Sequence, residues 1–417
     1  MYQDFQAELA WASLHMPRTR KAIAALPDLS NVKLACNMHL DLKMAPLVEG
    51  LLSRGCNIFL TTCNPTTVQD DVVSYLVDKG ATAHAWRDMS DADWSESFDK
   101  ALAWQPTHLC EMGADLTTRL HENIKANKPV PGIVSGLEAT GSGINRLNGM
   151  APNYPIFNWD DLPVKEGLHN RHMVGLSAWQ TFFQTTHLTL HEKVVVVIGY
   201  GLVGQGVAAS AKAFGAQVQV AELDPARALQ AKYDGWPVVD LNEAASQADV
   251  IATATGAYGV VSSKHLDSMK DGAFILNVGH VAQEIDVPYL KNNATHSEPM
   301  PYVNAYKLGD KTLYLLADGS MFNLTAGYGD SINAFDVTLA VMAAGIGYIV
   351  NEGANQPPQL SADILELAKG KERVTTGEIM LATQAKRATV KRRLQELVNS
   401  NFLKKQGQGK GTFYTLS

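Results

Sequence analysis

The chain has 417 residues, 46% of them hydrophobic and 18% charged, which allows a sizeable buried core and excludes wholesale disorder. A net charge of −7 excludes a chain that is basic throughout, and four irregularly spaced cysteines exclude a disulfide scaffold or a zinc ribbon, so no metal site is expected. At roughly 150 residues per domain the length points to two or three domains.

The opening residues, Met1-Tyr-Gln-Asp-Phe, lack the basic and apolar regions of a signal peptide. No uninterrupted apolar run approaches a membrane span, so a cytoplasmic chain with no membrane contact is expected. The first 170 residues alternate between helix and strand patterns. A helix is predicted over 42–52 after a short apolar strand, a strand over 57–61, and a helix over 71–79 that ends at Gly80. A helix poor in charge is predicted over 172–192. The β-branched run Val194 to Ile198 then reads as a strand buried on both faces. Strand and helix patterns continue to about residue 290. Residues 332–350 make a long apolar helix, expected to pack at a domain or subunit boundary, and Asn355-Gln-Pro-Pro reads as a linker.

The charge is unevenly placed. Basic residues dominate from Lys371 onward, while the preceding chain is acidic. Residues 371–417 read as a winged helix-turn-helix: a short helix from Thr376, a basic helix from Arg387 to Asn399, and a hairpin with a glycine-rich tip at Gly407-Gln-Gly-Lys-Gly. A basic helix followed by a basic wing suits the phosphates and major groove of DNA, and a packing or dimerisation module is the alternative.

The clearest motif is Gly199-Tyr-Gly201-Leu202-Val203-Gly204, which follows a predicted strand and opens a helix predicted over 207–214. Gly199 permits the tight turn, Gly201 lets the backbone approach a pyrophosphate, and Gly204 lets the helix pack on the strand. Glu222 ends the next strand, 217–221, where a carboxylate accepts the ribose hydroxyls of adenosine and repels a 2′-phosphate. NAD is therefore the expected cofactor.

These residues resemble the cofactor loop of the adenosylhomocysteinase family. Further likenesses follow in order: Ala221-Glu-Leu-Asp-Pro, Thr253-Ala-Thr255-Gly256, Asn277-Val278-Gly279-His280 with Glu284-Ile-Asp-Val, and Leu316-Ala-Asp-Gly with Asn323. Looser likenesses precede them: Asn37-Met-His39, Cys63-Asn-Pro with Gln69-Asp-Asp, Gly113-Ala-Asp115-Leu-Thr, Glu138-Ala-Thr140-Gly141-Ser142-Gly, and Asp161-Leu-Pro-Val-Lys165 with His169-Asn170. The resemblance covers about residues 5 to 350. It implies that tightly held NAD oxidises a ribose 3′-hydroxyl, that the ketone acidifies the neighbouring C4′–H, and that a thiolate is eliminated before water adds and the ketone is reduced.

The resemblance also distributes roles. It implies Lys165, His39, His280 and His169 as catalytic candidates. It implies Asp41, Cys63, Gln69, Met112, Thr140 and Asp330 around the substrate. The cofactor would be held by Gly199, Gly201, Leu202, Val203, Gly204, Glu222, Thr255, Gly256, Val278, Gly279, Asn170, Asn323, Thr140, Gly141 and Ser142. The departures from the family pattern fall in the substrate segments: Met112 and His169 stand where the family has aspartates, Ala139 where it has a glutamate, Asp330 where it has a histidine, and Asp41 where it has a threonine.

The expected fold is α/β: a Rossmann-type NAD domain inserted in a second α/β substrate-binding domain, plus the winged helix. The domains expected are 1–175 for substrate, 176–330 for NAD, 331–370 for a returning helix and linker, and 371–417 for the tail. The favoured activity is NAD-dependent, reversible hydrolysis of S-adenosylhomocysteine or a related nucleoside thioether by a homodimer or homotetramer. The alternative is a NAD- or nucleoside-sensing regulator that uses the tail on DNA.

Overall fold

The computed structural model describes residues 5–148, 150, 152–355, 359–371, 373–383, 385, 387–399, 402–407 and 412–417. The chain divides into two compact units, one of residues 1–161 with 339–417, the other of residues 162–338.

The first unit is built on a parallel six-stranded sheet: β1 (Lys33–Asn37), β2 (Asn57–Thr61), β3 (Thr82–Ala83), β4 (His108–Glu111), β5 (Ser135–Glu138) and β6 (Ile156–Asn158). Their spatial order is β3-β2-β1-β4-β5-β6. The order reverses between β1 and β4, so the loops leaving those strands diverge and open a crevice at their carboxyl ends. Ala35, Phe59 and Leu109 pack one face of this sheet against Phe98, Leu102 and Leu120.

The second unit carries β7 (Val194–Ile198), β8 (Gln217–Ala221), β9 (Val250–Thr253), β10 (Phe274–Asn277), β11 (Thr295–Met300), β12 (Val303–Leu308) and β13 (Lys311–Leu316). The order is β11-β12-β13-β10-β9-β7-β8, parallel except at the β11-β12-β13 edge. Alternate residues of β7 enter separate cores: Val195 and Val197 join Val207 and Ala211, while Val196 and Ile198 join Leu266 and Ile285. This double burial is why the strand reads as an unbroken apolar run.

Two predicted boundaries move. The 172–192 helix is in fact a π-helix, Lys165–Met173, running into an α-helix, Val174–Thr186, which stops because His187 takes a left-handed φ of 57°. The helix predicted over 207–214 starts at Leu202, because extended Gly201 is its N-cap.

The helix Ile332–Glu352 spans the division between the units. Residues 332–355 are long and apolar enough to cross a membrane by length and average composition, although Asp336 interrupts the apolar run. Within the first unit Leu339, Met342, Ala343, Ile346 and Ile349 form a fully buried stripe at helical spacing, as in a core helix.

The end of the chain forms helices Gln359–Lys369, Thr376–Thr383 and Arg387–Asn399, then the antiparallel pair β14 (Leu403–Gln406) and β15 (Phe413–Leu416). Val374 makes an isolated antiparallel bridge to Tyr414. Ile364, Val374, Ile379, Val390, Leu394, Leu403 and Tyr414 give this segment its own core. The expected glycine-rich tip lies outside the described residues from 408 to 411.

Candidate active site

In the second unit β7 ends in a turn that only glycine accepts cheaply: Gly199 has φ +94°. The Leu202–Ala213 helix starts at Gly201 with no side-chain cap, so its first amide N–H groups remain available to an anion. Leu202 and Val203 form its half-buried first turn. Any Cβ on Gly204 would collide with the Gly199 carbonyl, so helix and strand approach as closely as backbone allows. Glu222, just past β8, is fixed by its neighbours: Tyr200 N donates to Oε2 at 2.7 Å and Asp224 N to Oε1 at 2.9 Å.

The loops after β9 and β10 complete this cradle. Thr255 and Gly256 are held by Glu284, which accepts from Thr255 N at 3.1 Å, Thr255 Oγ1 at 2.7 Å and Gly256 N at 2.7 Å. Glu284 is fully buried, and that burial raises its pKa. A Cβ on Gly279 would strike the same carboxylate. Val278 is buried, and half-buried His280 follows Gly279. The sequence quoted Glu284 only as part of a motif. Its role as the staple of two loops needs the fold, because 28 residues separate it from Gly256.

Lys165 begins the π-helix and is 8% exposed. Hydrogen bonding from i to i+5, as from Val174 N to the His169 carbonyl, winds residues five apart onto one side of the segment. Asn170 therefore reaches Lys165, and Lys165 Nζ donates to Asn170 Oδ1 at 2.7 Å. An α-helix would have turned Asn170 away. His169 Nδ1 lies 2.9 Å from Oδ2 of Asp330, a residue 5% exposed. Ser177 Oγ shares its one proton between the Val174 carbonyl at 2.9 Å and Asp330 Oδ1 at 3.1 Å, and receives Asn323 Nδ2 at 3.1 Å. Two glycines set this segment against the dinucleotide helix: a Cβ on Gly206 would meet the Arg171 carbonyl, and one on Gly175 the Gly206 backbone. Ser177 was not foreseen, since a small polar residue in an apolar helix carries no signal of its own.

In the first unit the expected residues gather at the carboxyl ends of β1, β2, β4 and β5. His39 Nδ1 lies 2.8 Å from Thr67 Oγ1. Asp41 caps the turn at Lys43 N and pairs with Lys43 Nζ at 3.0 Å, both side chains buried. Gln69 Oε1 accepts from Leu42 N at 3.0 Å. Cys63 is buried, and desolvation with Asp115 and Glu138 nearby pushes its thiol well up, so it is no thiolate at neutral pH. Met112 is buried just past β4. Thr140 Oγ1 donates to Glu138 at 2.7 Å and lies 3.2 Å from Ser142 Oγ, at the start of the Gly141–Asn148 helix.

Beneath these residues sit two carboxylates that the site reading did not include. Glu111 and Glu138 are register partners on β4 and β5, both buried. Glu138 gathers Gly113 N and Ala114 N, each at 2.9 Å, and Glu111 gathers Leu116 N at 2.7 Å. Burial, then the charge of Glu138, pushes Glu111 up to about 8, and burial pushes Glu138 up to about 7. A raised carboxyl pKa favours the folded state while the group is protonated. That contribution is complete below 4.5 and is lost as pH rises toward about 8. Glu111→Gln cannot ionise, so in urea unfolding it should gain on the wild type from pH 5 to pH 8 by up to about 1.4 kcal/mol per pH unit. A difference that stays constant over this range would refute the assignment.

A parallel sheet ending in a glycine cradle, an uncapped helix N-terminus and an oriented carboxylate define a dinucleotide-binding α/β protein of the Rossmann class. The family model described as S-adenosyl-L-homocysteine hydrolase, NAD binding domain, matches residues 173–329, and that described as S-adenosyl-L-homocysteine hydrolase matches residues 6–147. Among similar proteins is the S-inosyl-L-homocysteine hydrolase of Methanopyrus kandleri, 32% identical over 360 residues, which span 84% of each chain. Adenosylhomocysteinase of Thermococcus kodakarensis is 35% identical over 84% of this chain and 86% of that one. Adenosylhomocysteinase of Sulfolobus acidocaldarius is 36% identical over 83% and 85%. The chain belongs to the S-adenosyl-L-homocysteine hydrolase family, and its cofactor is NAD.

Proposed function

We propose that this protein reversibly hydrolyses the thioether bond of a purine nucleosyl homocysteine, the adenosyl or the inosyl compound, with the second unit holding NAD and the first unit holding substrate. The observation that carries this reading is buried Lys165, locked to Asn170 on the π-helix of the cofactor-binding unit. When bound, NAD supplies the hydride acceptor that makes the ribose C3′ ketonic. Lys165 Nζ is the group that takes the proton of the 3′-hydroxyl as an amine and returns it as an ammonium, with Asn170 holding the nitrogen in place. Glu222 receives the ribose hydroxyls of the cofactor's adenosine half, and the N–H groups from Leu202 onward receive its phosphates.

His39 and His280 remain the candidates for further proton transfer, and Gln69, Cys63 and Thr140 for substrate contact. Incubation of the purified chain with each nucleosyl homocysteine, followed by titration of released thiol, tests the reading. Release from one or both compounds is expected, and release from neither would refute it.

We further propose that residues 371–417 form a winged helix that contacts DNA. The supporting observation is the polar face of the Arg387–Asn399 helix, which exposes Arg387, Lys391, Arg392, Gln395 and Asn399 on one side. Arginine, glutamine and asparagine are residues that read base edges, and exposed Lys404 and Lys405 of β14 add charge for phosphates. The opposite side is anchored, with Arg393 donating to the Pro152 carbonyl at 2.5 Å. Duplex DNA should bind with affinity that falls steeply between 50 and 200 mM salt, by on the order of tenfold or more. Lys391→Ala with Arg392→Ala should weaken it further. Binding that is absent, or indifferent to salt, would remove this reading.

A further inference from the structure

The two positions where a charged family residue is replaced by one of opposite kind, 169 and 330, touch each other here. His169 Nδ1 and Asp330 Oδ2 stand 2.9 Å apart. The contact joins two residues 161 apart in sequence.

The geometry is that of an orienting carboxylate on an imidazole. The approach is made by Nδ1 and is a close charge pairing rather than an aligned hydrogen bond, so Asp330 Oδ2 favours the tautomer with its proton on Nδ1 by its charge and proximity. Oδ1 of Asp330 lies 3.1 Å from Ser177 Oγ, whose proton is shared with the Val174 carbonyl and which accepts from Asn323, so the carboxylate has a second contact on its other oxygen. The Phe335 ring, 5.5 Å from the imidazole, limits the other side. His169 Nε2 makes no hydrogen bond among the described residues. His169 is also four residues from Lys165 on a π-helix, where residues four and five apart flank the same side as the first.

We propose that Asp330 is the positioning residue of His169, and that the pair supplies a second proton carrier beside Lys165, with Nε2 as the exchanging atom. Nε2 accepts a proton from a substrate hydroxyl while Nδ1–H stays on Asp330, and the same proton returns to the product hydroxyl, so none is consumed. Asp330 then acts through His169 and does not itself bind substrate. This inference rests on the proposed thioether hydrolysis.

The test is Asp330→Asn in the full-length, NAD-loaded protein. The amide can donate to Nδ1, which forces the proton onto Nε2 and removes the acceptor. We expect kcat to fall about 100-fold or more, with KM and bound NAD within about twofold of wild type. Nitrogen-15 NMR of histidine-labelled protein, with the His169 signal assigned from His169→Gln, should show the Nδ1–H form in the wild type and the Nε2–H form in Asp330→Asn. Ser177→Ala, which leaves both partners in place, should cost a smaller share of kcat, about three- to tenfold, and guards against a folding defect in the first variant. A raised KM at unchanged kcat would make Asp330 a substrate ligand and overturn the proposal. So would an unchanged tautomer, or Asp330→Asn turning over within threefold of wild type. Failure of the parent reading looks different: the wild type itself would release no thiol, whereas the tautomer measurement still reports on the pair.

Discussion

Lys165→Met will lower turnover by about 10²- to 10⁴-fold while bound NAD stays near the wild-type level. Methionine keeps the apolar stem that fills a site only 8% exposed, so packing changes little. What disappears is the nitrogen that donates to Asn170 Oδ1 at 2.7 Å and, on the proposed reading, carries the proton of the substrate hydroxyl. The glycine cradle, Glu222 and the Thr255 loop make none of their contacts through Lys165, so cofactor content is the control for folding. Thiol release and NAD per chain, measured on the same preparation, decide the matter. A variant keeping a tenth or more of wild-type kcat would remove Lys165 from the proton path.

Gly204→Ala should strip the protein of NAD. Its Cβ lands on the Gly199 carbonyl, which belongs to a turn already at φ +94° and cannot yield as a flexible side chain would. The helix must lift from β7, which costs about 1–3 kcal/mol and spoils the N–H array that receives the phosphates. Gly201→Ala is the informative companion. Its Cβ would find only Arg227 at 3.7 Å, so the fold should tolerate it, yet the methyl group intrudes where the pyrophosphate must approach the backbone. Gly204→Ala is thus expected to lose both stability and cofactor, dropping NAD per chain below about a tenth of wild type. Gly201→Ala should lose cofactor at nearly unchanged melting temperature. Equal retention of NAD by both variants would mean the dinucleotide is held elsewhere.

The His169–Asp330 pair bears on how such sites diverge. Each member alone reads as a departure from the family pattern, and the fold places the two departures in contact. Buried complementary charges resist single substitution, because the orphaned partner is costly, which favours paired change.

The dinucleotide half of the site was legible in the sequence because its determinants are local. Gly199, Gly201 and Gly204 lie in one turn, β7 announces itself by an apolar run buried on both faces, and Glu222 follows at the end of the next strand. Steric exclusion at a glycine and the period of a buried strand are properties of short stretches of chain, so residue order alone fixes them. Tertiary structure decided what depends on residues far apart. The π-wound segment packs on the dinucleotide helix through the close approaches at Gly175 and Gly206, and the Glu284 staple and the Glu111–Glu138 pair need strands brought side by side. The His169–Asp330 contact joins residues 161 apart through Ser177 and Asn323. Hydrogen bonds and buried charges take their strength from distance and desolvation, and neither exists until the chain has folded.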